Sequence, residues 1–358
     1  MIVANFVNGT SVSVAQTSPV VDPATGKEFG RAVVSRAAEV DAAVQAAADA
    51  FPAWSRTTPE ERAKVLTRIG EGLAARMDEI ATVITREAGM PKWLSTLVQA
   101  GLPINSFNTA AQLAESYEYE SQLGNSLVVR EPVGVVGAIT PWNYPLHQIA
   151  AKVAYAIAAG CTVVLKPSEV APLDAFILAE VIHDAGLPAG VFNLVMGRGS
   201  VLGELLSRSA EVDAVSFTGS VAVGRGVAQN CAARLAKVQL EMGGKNPLVV
   251  LEDADLALAV ESTLQGAFGS TGQRCTATSR AVVVESVADE FVRRLTERTA
   301  QLKVGDGSKP GTNVGPSVDE SQFNTVLRYL EIGQKEGARL VIGGKRLQGG
   351  DYDRGYFV

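Results

Sequence analysis

From Val133 onward, short uninterrupted apolar runs alternate with longer stretches whose apolar positions recur at helical spacing. Val133–Thr140, Thr162–Lys166, Val191–Val195 and Asp213–Thr218 read as strands. Pro145–Ala159, Pro172–Ala185, Val201–Arg208 and a segment from Ser220 to about Cys231 read as the helices between them. Continuous apolar strands alternating with helices predict a doubly wound parallel sheet covered on both faces. Such sheets bind ligands beyond the carboxyl ends of their strands.

The chain before this alternation has a different rhythm. VVDPATGKEFGRAVV reads as short strands broken at Asp22-Pro23 and Thr25-Gly26. DAAVQAAADAF is helical, and Thr58-Pro59-Glu60-Glu61 carries an N-cap, a first-turn proline and a capping box. A third helix runs near Asp78–Ala88, and 96–120 reads as mostly helical with a break near Gly101–Pro103. Residues 121–133 read as a strand with a turn at Gly124-Asn125. After Glu241 the alternation resumes: strands at Leu248–Leu251 and Ala281–Val284, helices from Asp255, over Val287–Leu302 and near Glu320–Lys335. The final GYFV reads as the start or middle of a strand.

Composition narrows the picture. A chain of 358 residues suggests two or three domains. With 47% hydrophobic and 20% charged residues it is an ordinary globular composition. The net charge of −6 has no basic block behind it, which argues against nucleic acid or an anionic membrane as partner. The amino terminus lacks the pattern of a signal peptide, and no apolar run is long enough to span a bilayer. Cys161, Cys231 and Cys275 have no metal-ligand spacing and only His147 and His183 accompany them, so no metal site is expected. A reducing cytoplasm is the expected location.

Candidate chemistry lies at the strand ends. Isolated cysteines are usually small core residues, and Cys161 and Cys231 fit that role. Cys275 instead follows the polar, glycine-containing stretch Ser270-Thr271-Gly272-Gln273-Arg274, where backbone amides can converge and Arg274 stands alongside. It reads as a nucleophile. Glu241 ends the run Val238-Gln239-Leu240 before Gly243-Gly244, and reads as a carboxylate leaving an apolar strand to act as a base. Asn143, in Trp142-Asn143-Tyr144-Pro145, offers an amide donor to an oxyanion. Phe217-Thr218-Gly219-Ser220 through Gly224 brings a helix N-terminus suited to a pyrophosphate, and Lys166-Pro167-Ser168-Glu169 adds a cation and a carboxylate for ribose hydroxyls. A P-loop is absent, so ATP phosphoryl transfer has no support.

Taken together, TPWNYP, AGCTVVLKPSE, GLPAGVFNLVMG, VSFTGS, LEMGGKNP, GQRCTATSR and VGPSVDE resemble the aldehyde dehydrogenase superfamily over nearly the whole chain. Cys275 stands 34 residues after Glu241, the most specific part of the match together with WNYP. From VQLEMGGKNP onward the chain is most similar to α-ketoglutarate semialdehyde dehydrogenases; before that it resembles a general bacterial group.

The resemblance implies a Rossmann-like doubly wound parallel sheet, a second, incomplete α/β catalytic domain and a small oligomerisation strand segment. It places the dinucleotide-binding domain in 1–120 and 134–242, the oligomerisation strand in 121–133 and the catalytic domain in 243–358. It implies NAD as cofactor, with NADP as the alternative, a small-molecule aldehyde as substrate, and a homodimer or homotetramer. Cys275 would attack the aldehyde carbon, Asn143 and the Cys275 N–H would form the oxyanion hole, and Glu241 would activate the water that hydrolyses a thioester. Lys166 and Glu169 would meet the adenosine ribose and Gly199 the adenine, with Ser168 among the cofactor contacts. Phe217, Gly219, Ser220 and Gly224 would lie on the pyrophosphate side, and Trp142 and Gly243 join the cofactor contacts. The family's later E-x-F-G-P segment and C-terminal arm have no counterpart, so the chain is expected to be incomplete at its C-terminus. A silent chain that folds and binds a dinucleotide, or a thiol esterase, are the competing outcomes.

Overall fold

The computed structural model describes residues 2–358. Strands β1 (Ile2–Val3), β2 (Asn5–Val7), β3 (Thr10–Val12), β4 (Thr17–Asp22) and β5 (Lys27–Val33) come first. Helices α1 (Ala37–Trp54), α2 (Pro59–Ala75) and α3 (Met77–Ala88) follow. At the start of α2 the Thr58 hydroxyl accepts from the Glu61 N–H and the Glu61 carboxylate accepts from the Thr58 N–H, with Pro59 in the first turn. Next come the short α4 (Lys92–Leu94), a π-helical turn at Ser95–Ala100 and α5 (Gly101–Ser116). The break expected near 101–103 is this π turn. Pro103, which has no N–H to bond back into that turn, is the third residue of α5.

Strands β6 (Glu120–Leu123) and β7 (Ser126–Val129) make a hairpin about Gly124-Asn125. The alternation then runs β8 (Val135–Ile139), α6 (Pro145–Ala158), β9 (Thr162–Lys166), α7 (Leu173–Asp184), β10 (Phe192–Leu194), α8 (Gly199–Arg208), β11 (Ala214–Gly219), α9 (Val221–Ala232) and β12 (Lys237–Met242). It resumes with β13 (Asn246–Val250), α10 (Leu256–Phe268), β14 (Thr278–Val283), α11 (Glu285–Thr299) and α12 (Glu320–Lys335).

The chain divides into two compact units. The first takes the N-terminal segment to Val20, Phe29–Val83 and Thr96–Met242. Its seven-stranded sheet has the order β12-β11-β8-β9-β10-β2-β3. The run from β12 to β10 is parallel, while β2 and β3 extend it antiparallel. Every residue of β8 and β9 is buried, which is why they read as unbroken apolar runs. Helices α1, α8 and α9 cover one face, their Val44, Leu202, Leu206 and Val227 packing on Val135, Val164, Val215 and Phe217. Helices α6 and α7 lie against the other, with α2 and α5 packed outside them.

The second unit comprises Val21–Glu28, Ile84–Ser95 and Gly243–Val358. Its core gathers Val250, Val260 and Phe291 between the parallel pair β13–β14 and helices α10 and α11. The sequence reading kept 21–28 and 84–95 with the dinucleotide-binding domain; in the structure they pack here. Lys92 N–H donates to the Gly307 carbonyl at 2.9 Å and the Trp93 indole to that of Thr312 at 3.2 Å.

Two further expectations change. The strand carrying Glu241 is not an apolar interior strand: β12 is the sheet's edge, and Lys237, Val238, Gln239 and Glu241 are exposed. The segment 355–358 forms no ladder. Tyr356 bonds Pro23 through its N–H and Ser317 through its carbonyl, while Phe357 accepts from Leu347, so its backbone groups are satisfied by three separate loops. Among the described residues no helix is long and apolar enough to cross a membrane.

Candidate active site

Parallel pairing brings the carboxyl ends of β8, β9, β10, β11 and β12 to one edge of the first unit's sheet. Beyond β8 the chain turns through 140–144 into α6. The Asn143 side-chain oxygen accepts from the Tyr144 N–H at 3.0 Å, which orients the amide and leaves its Nδ2 as the donor side.

At the end of β9, Lys166 is 2% exposed and its ammonium donates to Glu169 at 2.9 Å. The other Glu169 oxygen accepts from the Gly199 N–H at 3.1 Å, the first residue of α8. Burial pushes the Lys166 amine down. Burial alone would raise Glu169, but the Lys166 charge and hydrogen bond outweigh it and hold the carboxyl below its ordinary value. A side chain on Gly199 would bring a Cβ to 3.2 Å from Lys166 Nζ, so glycine keeps this corner open. The Ser168 hydroxyl accepts from the Val170 N–H at 3.2 Å and shapes the turn.

At β11 the Phe217 ring is buried in the core, so any cofactor contact it makes is through its main chain. A Cβ on Gly219 would lie 2.5 Å from that ring, and one on Gly224 would lie 2.6 Å from Met242 Sδ. Gly219 makes room for the Phe217 ring of its own strand, and Gly224 lets α9 seat closely on Phe217 of β11 and Met242 of β12. Ser220 caps α9, its hydroxyl accepting from the Val223 N–H at 3.3 Å, and remains exposed beside the helix's first N–H groups. Trp142 is half-exposed on the turn before α6.

Glu241 pairs with Thr218 in the β11–β12 register. The motifs did not reveal its charged neighbour. Lys152, on α6, donates to the Ser216 hydroxyl at 3.2 Å, which donates to the Gln239 side-chain oxygen at 2.8 Å. Burial brings the Lys152 amine down to about 8, partly opposed by the Glu241 carboxylate. A lysine whose folded pKa lies below its unfolded value of 10.5 binds fewer protons folded than unfolded between those limits. Stability therefore gains from rising pH over that window. Thermal melts of wild type and Lys152→Met from pH 7 to about 11 should show a shallower rise in the variant; parallel curves would remove Lys152 from the account.

The second unit holds Cys275 and Gly243. Gly243 is exposed, with open space where a Cβ would stand. Cys275 is half-buried in the loop from α10 to β14. Ser270, Thr271 and Gly272 are all left-handed, at φ of 55°, 59° and 67°. Two of these are not glycine, a strained arrangement that its surroundings must hold. Three side chains do so. Thr271 donates to the Gly315 carbonyl at 3.1 Å, and Gln273 accepts from the Val318 N–H at 3.0 Å. Asn246 donates to the Cys275 carbonyl at 2.7 Å.

Arg274 corrects an expectation. Its guanidinium donates to the Gln265 and Gly266 carbonyls at 2.8 and 2.9 Å, capping the C-terminal end of α10 instead of serving the thiol. Asn246 was missed because its partner lies in a distant loop; its place in GGKNP was the available signal.

A parallel α/β sheet with glycine-bearing turns at its carboxyl edge defines a nucleotide-binding class of protein, here joined to a unit presenting a loop-held cysteine. The Aldehyde dehydrogenase family model matches residues 10–358, and the chain belongs to that family. A 3-succinoylsemialdehyde-pyridine dehydrogenase of a Pseudomonas species is 43% identical over 350 residues, 96% of this chain and 72% of the relative. The solved structure of a cysteine-to-alanine mutant of aldehyde dehydrogenase C from Pseudomonas syringae, complexed with NAD+ and octanal, is 40% identical with a TM-score of 0.96. It is matched over 99% of this chain and 73% of that one. Betaine aldehyde dehydrogenase from Staphylococcus aureus with NAD+ is 34% identical, TM-score 0.96, over 99% and 72%.

Proposed function

We propose that the chain oxidises an aldehyde to a carboxylic acid with NAD, through Cys275. The observation that carries this is the common carboxyl edge that gathers Asn143, Lys166, Glu169, Gly199, Ser220 and Glu241, in a family member whose solved neighbours hold NAD+. The residues present fit the cofactor: the exposed start of α9 suits the pyrophosphate, and Glu169 suits ribose hydroxyls. Bound NAD supplies the hydride acceptor.

The protein's own groups do the rest. The Cys275 thiolate adds to the aldehyde carbon, and the Asn143 Nδ2 donates to the resulting oxyanion. Loss of hydride from that adduct leaves a thioester on Cys275. Glu241 takes a proton from water, the hydroxide displaces the thiolate, and the acid leaves. Exposure of Glu241 on an edge strand suits it to a step that consumes water.

NAD is the preferred dinucleotide in this reading because the ionised Glu169 repels a 2′-phosphate. Glu169→Gln should raise the NADP-to-NAD ratio of kcat/KM at least about tenfold, read by reduced-cofactor formation at saturating aldehyde; an unchanged ratio removes Glu169 as the selector. The reading also includes a second copy covering the β6–β7 hairpin, supported by its exposed Leu123, Leu127 and Val129. Three cysteines without disulfides suit the cytoplasm. Reduced-cofactor formation by wild type across a series of aldehydes tests the whole; a protein that binds NAD and oxidises none of them sinks it.

A further inference from the structure

At one edge of the seven-stranded sheet lies β12, at the other β3. β3 is three residues long, and shortness is one way an edge is kept from pairing with another chain. β12 runs six residues, and its register with β11 is unbroken from Ala214–Lys237 to Gly219–Met242. It carries neither a bulge nor a proline, the other common devices that blunt an edge. The Lys237 N–H donates inward to the Asp213 carbonyl at 3.0 Å. Backbone groups alternate in direction along a strand, so those of Lys237, Gln239 and Glu241 face β11 and those of Val238, Leu240 and Met242 face outward. Among the described residues no other strand pairs with that outward side.

The side chains along this edge are open as well. Lys237, Val238, Gln239 and Glu241 are exposed, Val238 at 41%. Beside the strand lies an open cavity of about 440 Å³, lined by Lys152, Tyr155, Ser216, Lys237 and Gln239 among others. The order Lys237-Val238-Gln239-Leu240-Glu241 is complementary to itself read backwards. Laid antiparallel about a twofold axis at Gln239, each Lys237 meets the second copy's Glu241, and each Val238 meets the second copy's Leu240. Val238 and Leu240 then make the hydrogen-bonded pairs, as their outward backbone groups require. Lys237 and Glu241 fall in the non-hydrogen-bonded pairs, where facing side chains stand closer. An axis at Val238 or Leu240 would serve the backbone equally, but it leaves both charges without an opposite.

We propose that β12 is a self-docking edge, through which two copies of this chain join antiparallel about Gln239 and run their sheets together. The contact is isologous, so each Lys237–Glu241 and Val238–Leu240 pair occurs twice. It lies wholly within the first unit and is separate from the β6–β7 hairpin. The pairing is independent of the reaction proposed above. Its charge pairs are exposed, so it weakens as salt rises.

Charge reversal tests the register. Lys237→Glu sets like charges opposite each other at both pairs, and Glu241→Lys does the same with the other sign. In sedimentation velocity each variant alone should associate at least about tenfold more weakly than wild type. An equimolar mixture of the two again faces a lysine with a glutamate at both pairs, and should recover wild-type affinity to within about threefold. Cysteine substitution tests the axis. Gln239→Cys meets its twin there and should form an intermolecular disulfide under a mild oxidant, beyond any seen in wild type. Lys237→Cys lies about 13 Å along the strand from its twin and should not. A wild type that stays monomeric, charge variants that associate as wild type does, or cross-linking equal at the two positions overturns the proposal. Should a charge variant fail to fold, the two cysteine variants decide it alone.

Discussion

Cys275→Ala is expected to lower aldehyde-dependent NADH formation by about 10⁴-fold or more. Nothing else described in the chain can take its place as a sulfur nucleophile. Cys161 and Cys231 are buried, and burial pushes both thiols up. The substitution is also structurally mild. Asn246 holds the Cys275 carbonyl, Gln273 and Thr271 hold the turn before it, and none of these bonds uses Sγ. NAD binding, measured by calorimetry on the same preparation, should remain within about threefold, since the proposed cofactor residues other than Gly243 lie in the first unit. That pairing separates the competing readings. A variant that keeps its turnover refutes Cys275 as nucleophile. A wild type that binds NAD but turns over no aldehyde favours a silent chain. Hydrolysis of an activated ester without cofactor, lost in the same variant, would show the thiol to be reactive on its own.

The parallel sheet was legible because β8 and β9 are buried on both faces, which forces every residue to be apolar or internally paired. Strand ends were legible for a related reason: a chain leaving such a sheet must change composition abruptly, as at Lys166 and Gly219. What escaped depends on partners far along the chain. The antiparallel strands β2 and β3 are three residues each, and β2 is joined to β10 through Phe6 and Leu194. Nothing local announces that pairing. GYFV has strand-forming residues, yet strand propensity is decided by neighbours, and its neighbours are loops. Arg274 followed the same rule in the site. Its place beside Cys275 suggested a charge for the thiol, but in the folded chain its Nη2 donates to the bare carbonyls at the end of α10. Glu241 was identified from the glycines after it, while Lys152, its charged neighbour, belongs to no motif and emerges only when its side chain reaches from α6 to Ser216 on β11.

Glu241→Gln should split the reaction in two. Glutamine has the same shape as glutamate and leaves the β11–β12 backbone register undisturbed, but it cannot accept a proton from water. Capture of the aldehyde and loss of hydride need only Cys275 and Asn143 among the proposed groups. A first turnover of NADH should therefore appear at close to the wild-type rate, followed by a steady state slower by about 10²–10⁴-fold. Intact mass measured during that slow phase should show the acyl group on Cys275. Hydroxylamine, a nucleophile strong enough to attack a thioester without a base, should restore turnover in the variant and do little for wild type. A lost first turnover would instead place Glu241 in the activation of the thiol. An unchanged steady state with no adduct would mean that water is activated elsewhere. The exposed edge position makes the first pattern the expected one: water reaches this carboxylate readily, and what the variant lacks is only somewhere for the proton to go.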